Sequence, residues 1–144
     1  MDIFLDTTYL MPFFNIDIDV DGFSRELFRK KLSNFNSVHI SELSVIEAKA
    51  KILKIKDRKI NEIFRRSIRI LRSDERFIFH GYTSEDDENF EKLNVDLNFI
   101  GKIIVAQAFS VGLLLTEDKQ ILKNKGLLKN LGLDVINWKD FLNN

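Results

Sequence analysis

The sequence predicts one α/β domain over residues 1–144, built on a central parallel sheet, and three observations carry that expectation. Short apolar runs stop abruptly at polar residues, amphipathic segments with helix spacing lie between them, and no proline- or glycine-rich linker divides the chain. The runs are Ile3 to Leu5, Val38 to Ile40 and Leu113 to Leu115, each short and apolar but for His39, as suits a strand buried on both faces. Leu133 to Ile136 reads as a final strand. Phe77 to Phe79 fits either a short extra strand or the end of the helix before it.

The helical segments follow from periodicity. Phe23, Leu27, Phe28 and Leu32 recur at helix spacing, as do Ile60, Ile63, Phe64, Ile68 and Leu71, and then Phe99, Ile103, Ala106 and Phe109. One helix is expected from about Lys119 to Gly132, where glycine suits the end of a helix, and Trp138 to Leu142 reads as a closing helical turn.

Composition narrows the chemistry. An apolar share of 44% with 31% charged residues describes a folded chain, and no apolar run approaches the roughly 20 residues of a membrane span. The first residues lack the basic and small-residue pattern of a secretory signal, so a cytoplasmic protein is expected. With no cysteine, disulfide scaffolds, thiolate catalysis and cysteine-ligated zinc are excluded, and His39 and His80, the two histidines, read as packing or surface residues. Any metal must be held by oxygen. The formal charge is zero, yet Lys49 to Arg76 holds eleven basic residues against four acidic ones, and Glu85 to Glu91 reverses that sign. Solvated helix surface explains both runs; a phosphate-binding face is the competing reading of the basic one.

In an open parallel sheet, ligands bind beyond the carboxyl ends of the strands. Asp6 directly follows Ile3 to Leu5, Glu47 lies one or two turns into the helix after Val38 to Ile40, and Asp118 follows Leu113 to Thr116. If those strands are neighbours, the carboxylates share one edge, where their mutual repulsion calls for a cation. Carboxylate ligation suits Mg²⁺ or Mn²⁺, which can activate water at a phosphodiester. Each acid also has an ordinary reading: Asp6 and Asp118 as helix N-caps, Glu47 as the salt-bridge partner of a nearby lysine. Tyr9, Met11 and Phe14 could form an exposed apolar patch suited to a dimer contact.

The segments Ile3-Phe4-Leu5-Asp6-Thr7-Thr8-Tyr9-Leu10, Ile40-Ser41-Glu42-Leu43-Ser44-Val45-Ile46-Glu47 and Leu114-Leu115-Thr116-Glu117-Asp118 resemble, in order and approximate spacing, three motifs of the PIN-domain family. The resemblance spans nearly the whole chain. It implies a three-layer α/β/α sandwich, metal-dependent cleavage of single-stranded RNA, and kinship with toxins of toxin–antitoxin pairs. It matches Asp6, Glu47 and Asp118 to the acidic catalytic and metal-binding positions and Thr116 to the threonine of a Thr-x-Asp motif, with Mg²⁺ or Mn²⁺ as cofactor. An antitoxin and a second copy of the chain are the protein partners it implies. One position departs from the family pattern. About five residues before Ala106-Gln107-Ala108, where an acid is usual, stands Gly101; an altered helix start could let Asp96 serve instead, and Glu117, expected to face solvent, is a further substitute. Two readings stay open: a ribonuclease, or a PIN-like module that binds RNA or protein without chemistry.

Overall fold

The computed structural model describes residues 1–144. Its five strands are β1 (Asp2–Leu5), β2 (Ser37–Ser41), β3 (Phe77–His80), β4 (Leu113–Leu115) and β5 (Asp134–Ile136). They form one parallel sheet in the order β3-β2-β1-β4-β5. Phe77 to His80 is therefore a strand, paired along its length with β2. β1 is central, with Phe4 set against His39 on one side and Leu114 on the other. The chain builds outward from β1 to β2 and β3, then returns to lay β4 and β5 on the opposite side. That reversal opens the crevice of a doubly wound sheet between the carboxyl ends of β1 and β4.

Eight α-helices and a 3₁₀ helix (Thr7–Phe14) cover the sheet. They are α1 (Arg25–Leu32), α2 (Glu42–Ile55), α3 (Arg58–Ser73), α4 (Ser84–Lys92), α5 (Phe99–Ala108), α6 (Lys119–Lys123), α7 (Lys125–Asn130) and α8 (Trp138–Leu142). Alternation along β1 sends its side chains into different layers. Ile3 and Leu5 join Phe28, Leu32, Trp138 and Phe141 on one face, whereas Phe4 joins Ile104, Val105, Leu114 and Val135 on the other. A third cluster, with Leu10, Phe14, Ile40, Ile52 and Phe64, seats the 3₁₀ helix against α2 and α3. The result is a three-layer α/β/α sandwich. No helix is long and apolar enough to cross a membrane.

Two expectations are corrected. The single helix from Lys119 to Gly132 is broken at Asn124, whose backbone leaves helical geometry and whose side-chain amide donates to the Gln120 carbonyl at 2.9 Å. An asparagine that bonds back to its own backbone competes with the helix ladder. Tyr9, Met11 and Phe14 form no exposed patch: all are buried, Tyr9 against Phe28 with ring centres 5.6 Å apart and Phe14 against Phe64 at 4.7 Å. An eight-residue 3₁₀ helix wedged between helical layers leaves few of its side chains exposed.

Candidate functional site

At the carboxyl edge of the sheet, one hydrogen-bonded chain runs through all three acids. Asp6 leaves β1 with its N–H donated to the Leu115 carbonyl at 3.0 Å, which ties the end of β1 to β4. Its Oδ1 accepts the Thr7 N–H at 2.7 Å and so caps the 3₁₀ helix, while Oδ2 accepts the Thr116 hydroxyl at 2.5 Å. Thr116 in turn accepts the Asp118 N–H at 3.0 Å. Asp118 Oδ1 takes the N–H groups of Gln120 and Ile121 at 2.9 and 3.1 Å, capping α6.

The other branch runs through Thr7. Its hydroxyl lies 2.6 Å from Glu47 Oε1 and 2.8 Å from Ser44 Oγ. With one proton to give, Thr7 donates to the carboxylate, which only accepts, and takes the Ser44 proton itself. Both partners come from α2, one turn apart, so a single helix face presents them together. Thus the capping readings of Asp6 and Asp118 hold, whereas Glu47 bonds a threonine rather than a lysine.

The electrostatics follow from this crowding. Burial pushes the Asp6 carboxyl above its ordinary range, and the charges of Asp118 and Glu47 push the same way against the bonds from Thr116 and Thr7. A cation would relieve that cost. The donor set suits a hard dication: all the atoms are oxygen, and Glu47 Oε2 and Asp118 Oδ2 take no hydrogen bond within the protein. The acids do not close as a cage, since no group of three or more His, Cys, Asp or Glu is arranged to hold an ion. A dication that keeps several waters and takes one or two carboxylates fits such an open set.

Asp96 is not brought to this cluster. It is exposed, two residues ahead of Asn98, which caps α5 by accepting the Gly101 N–H at 2.7 Å. The helix starts at Phe99, so the altered start that would carry Asp96 inward does not occur. Gly101 is buried, and a Cβ there would point at Asn98 Oδ1, 3.0 Å away, and at Ile121 Cδ1, 3.7 Å away. Ile121 lies in the turn that Asp118 caps, so position 101 adjoins that turn. The Asn98 carboxamide stands against the first atom that any side chain at position 101 would add.

Glu117 is the clearest correction. Rather than facing solvent, its Oε2 accepts the Tyr9 hydroxyl at 2.6 Å and the Trp138 N–H at 2.8 Å. Burial and this carboxylate together hold the Tyr9 proton far above the ordinary phenol range. The bonds pin the segment carrying Asp118 to the 3₁₀ helix that follows Asp6. Sequence reasoning missed Thr7, Ser44, Tyr9 and Trp138 as site partners; the one local signal was that Thr7 adjoins Asp6. His39 and His80 form a separate network, with His39 Nδ1 at 2.6 Å from His80 Nε2 and its Nε2 at 2.9 Å from Asp2. Burial, then the neighbouring His39, lowers the His80 pKa, against a smaller opposing pull from Asp86.

No family model matches the sequence, and no curated protein matches it. Among solved structures, the chain is similar to one in the crystal structure of VapBC2 from Rickettsia felis bound to a DNA fragment from their promoter. The two superpose with a TM-score of 0.67 over 96% of this chain and 99% of that one, at 18% sequence identity. At that identity the likeness speaks for architecture, and the architecture is the PIN-like α/β/α sandwich.

Proposed function

We propose that the protein is a metal-dependent endoribonuclease of the PIN-domain type, acting on single-stranded RNA as the toxin of a toxin–antitoxin pair. The observation that supports it most is the chain of bonds Glu47–Thr7–Asp6–Thr116–Asp118 at the crevice between β1 and β4. Two threonines hold three acids in place, and each outer acid keeps one oxygen without a protein partner. Mg²⁺ or Mn²⁺ bound there would supply a water activated for attack at phosphorus and neutralise charge on the phosphodiester. Asp6, Glu47 and Asp118 would hold the ion. Thr116 would keep Asp6 Oδ2 directed toward β4, and the ion's charge would offset the desolvation that raises the Asp6 pKa.

Protein partners belong to the same proposal. An apolar groove of about 400 Å³ between α2 and α4–α5, lined by Leu43, Ile46, Phe90, Phe99 and Ile103, suits the apolar face of an antitoxin helix. Pairing of two copies is tested by sedimentation of the purified chain. The similar chain belongs to a VapBC2 complex, which supports the antitoxin assignment by analogy of fold.

The test is cleavage of an end-labelled single-stranded RNA in Mg²⁺ or Mn²⁺, with EDTA and Asp6→Asn as controls. Cleavage that requires the metal and Asp6 is the expected result; cleavage retained by Asp6→Asn sinks the assignment. A second reading, binding of RNA or protein without chemistry, is favoured by Gly101 and by the Asn98 cap that occupies its neighbourhood. It expects RNA binding indifferent to EDTA and no cleavage.

A further inference from the structure

Helix α3 turns Phe64 and Leu71 into the core, with Ile60, Ile63 and Ile68 packed beside them. At 3.6 residues per turn the opposite face carries Arg58, Glu62, Arg65, Arg66 and Arg69. All five are exposed. None of the four arginines has a carboxylate within ion-pair distance, although Arg72, at the edge of the stripe, is paired with Glu42 at 2.6 Å. Such an arrangement has a cost at neutral net charge, because 22 acidic residues were available to compensate these cations and only Glu62 stands among them.

We infer that this arginine stripe is a binding surface for the phosphodiester backbone of RNA. The chemistry of the stripe selects that occupant. A cleft of about 230 Å³ on it is lined by Glu62, Arg65, Arg66 and Arg69 and by no apolar residue. Protein interfaces set their arginine anchors among packed apolar side chains, and membrane-surface helices need an apolar face directed outward; Ile70 is the one exposed large apolar side chain of α3, too little for either. Guanidinium groups are always charged and match phosphate oxygens two at a time, and arginine supplies four of the five cations on this face, with Lys59 at its margin. From Arg58 to Arg69 the stripe runs about 16 Å at 1.5 Å per residue, long enough to follow several phosphates of an extended strand. Through its inner face α3 packs on the 3₁₀ helix that begins at Thr7, with Phe64 on Phe14, and α3 also packs on α2, which carries Glu47. The stripe therefore belongs to the same structural unit as two of the acids. It deepens the proposed function by naming a surface that holds the strand, and rests on that reading only in taking the strand to be RNA.

The test is fluorescence anisotropy of a labelled single-stranded RNA in EDTA across a salt series, for the wild type, Arg65→Gln/Arg66→Gln/Arg69→Gln, and Glu62→Gln. Each phosphate contact on a single strand contributes about 0.7 to the slope of log affinity against log salt. The triple variant is expected to bind on the order of tenfold more weakly at low salt, with a slope smaller by about 2. Glu62→Gln is expected to bind more tightly, a gain that damaged folding could not produce. Arg29→Gln/Lys30→Gln, an exposed pair on a different helix, α1, is expected to change neither quantity. Unchanged affinity and slope in the triple variant, or an equal loss in the α1 control, overturns the inference. So does displacement of RNA by polyglutamate as readily as by polyphosphate, which would assign the stripe to an acidic protein segment. Repeating the comparison with Mg²⁺ separates the two proposals. Binding lost in the triple variant when the wild type cleaves nothing removes the nuclease and leaves the stripe; cleavage at equal KM in both proteins removes the stripe and leaves the nuclease.

Discussion

Gly101→Asp puts an acid beside the turn that Asp118 caps, and its effect should change sign with metal. The new Cβ would stand 3.0 Å from Asn98 Oδ1, so the Asn98 side chain must swing and weaken its bond to the Gly101 N–H. Losing such a cap costs about 1 kcal/mol. Replacing glycine within the first turn of α5 and adding an acid near its N-terminus return roughly 0.5–1 kcal/mol. A fourth carboxylate near the turn that Asp118 caps adds repulsion, so the net in EDTA is a loss of about 1 kcal/mol, or roughly 3–4 °C in Tm for a chain of this size. With Mn²⁺ the order reverses. Even outer-shell groups change metal affinity ten- to a hundredfold, so an added ligand should tighten the ion at least about tenfold, worth about 1.4 kcal/mol. The variant's Tm rise on adding Mn²⁺ should then exceed that of the wild type by roughly 5 °C. Differential scanning fluorimetry with and without EDTA checks both halves. Equal rises in the two proteins would refute the claim that position 101 adjoins a metal-binding cluster.

Tyr9→Phe removes the hydroxyl bound to Glu117 and leaves that carboxylate with only the Trp138 N–H; a hydrogen bond to a charged group is worth about 1.5 kcal/mol, so Tm should fall by roughly 5 °C, and a change under 1–2 °C would mean that Glu117 is solvated after all. His80 has a folded pKa below its ordinary 6.5, so the unfolded chain takes up the proton first: the associated stability is present above pH 6.5 and is lost as the pH falls from there through the folded value. His80→Gln should therefore lose less Tm between pH 7 and pH 5 than the wild type, and an identical pH dependence would contradict the half-buried His39–His80 contact.

Much of this architecture was legible because it rests on local pattern. The apolar runs ending at Asp6 and Ser41, and the one ahead of Thr116, became strands, and the helix spacing of Ile60, Phe64, Ile68 and Leu71 became the inner face of α3. The positions of Asp6 and Asp118 followed from their place just past strands, which is why both also cap helices. What escaped reading depends on distant partners. Thr7 meets Ser44 and Glu47 across 37 and 40 residues, and Glu117 meets Tyr9 across 108, separations that leave no local periodicity. The burial of Tyr9, Met11 and Phe14 has the same origin, since nothing in an eight-residue segment reveals which layers close over it. Asn124 broke a helix that its apolar neighbours would have continued, because one side-chain amide outcompeted one turn of backbone. Asp96 stayed outside because α5 starts only at Phe99, with Asn98 as its cap, two residues past Asp96.

The most direct test of the acidic cluster is the unfolding midpoint of the wild type and of Asp6→Asn, each in EDTA and in millimolar Mn²⁺. Asparagine keeps an acceptor for the Thr7 N–H and removes a charge that burial, Asp118 and Glu47 all disfavour, but its amide nitrogen cannot accept the Thr116 hydroxyl; the two effects offset, so in EDTA the variant should unfold within a few degrees of the wild type. At a hundred times the dissociation constant, Mn²⁺ adds about 2.7 kcal/mol to a protein that binds it when folded, or roughly 8–10 °C here. The expected result is that rise in the wild type and its loss in Asp6→Asn; no rise in either protein, or the same rise in both, would contradict a metal held at Asp6, Glu47 and Asp118.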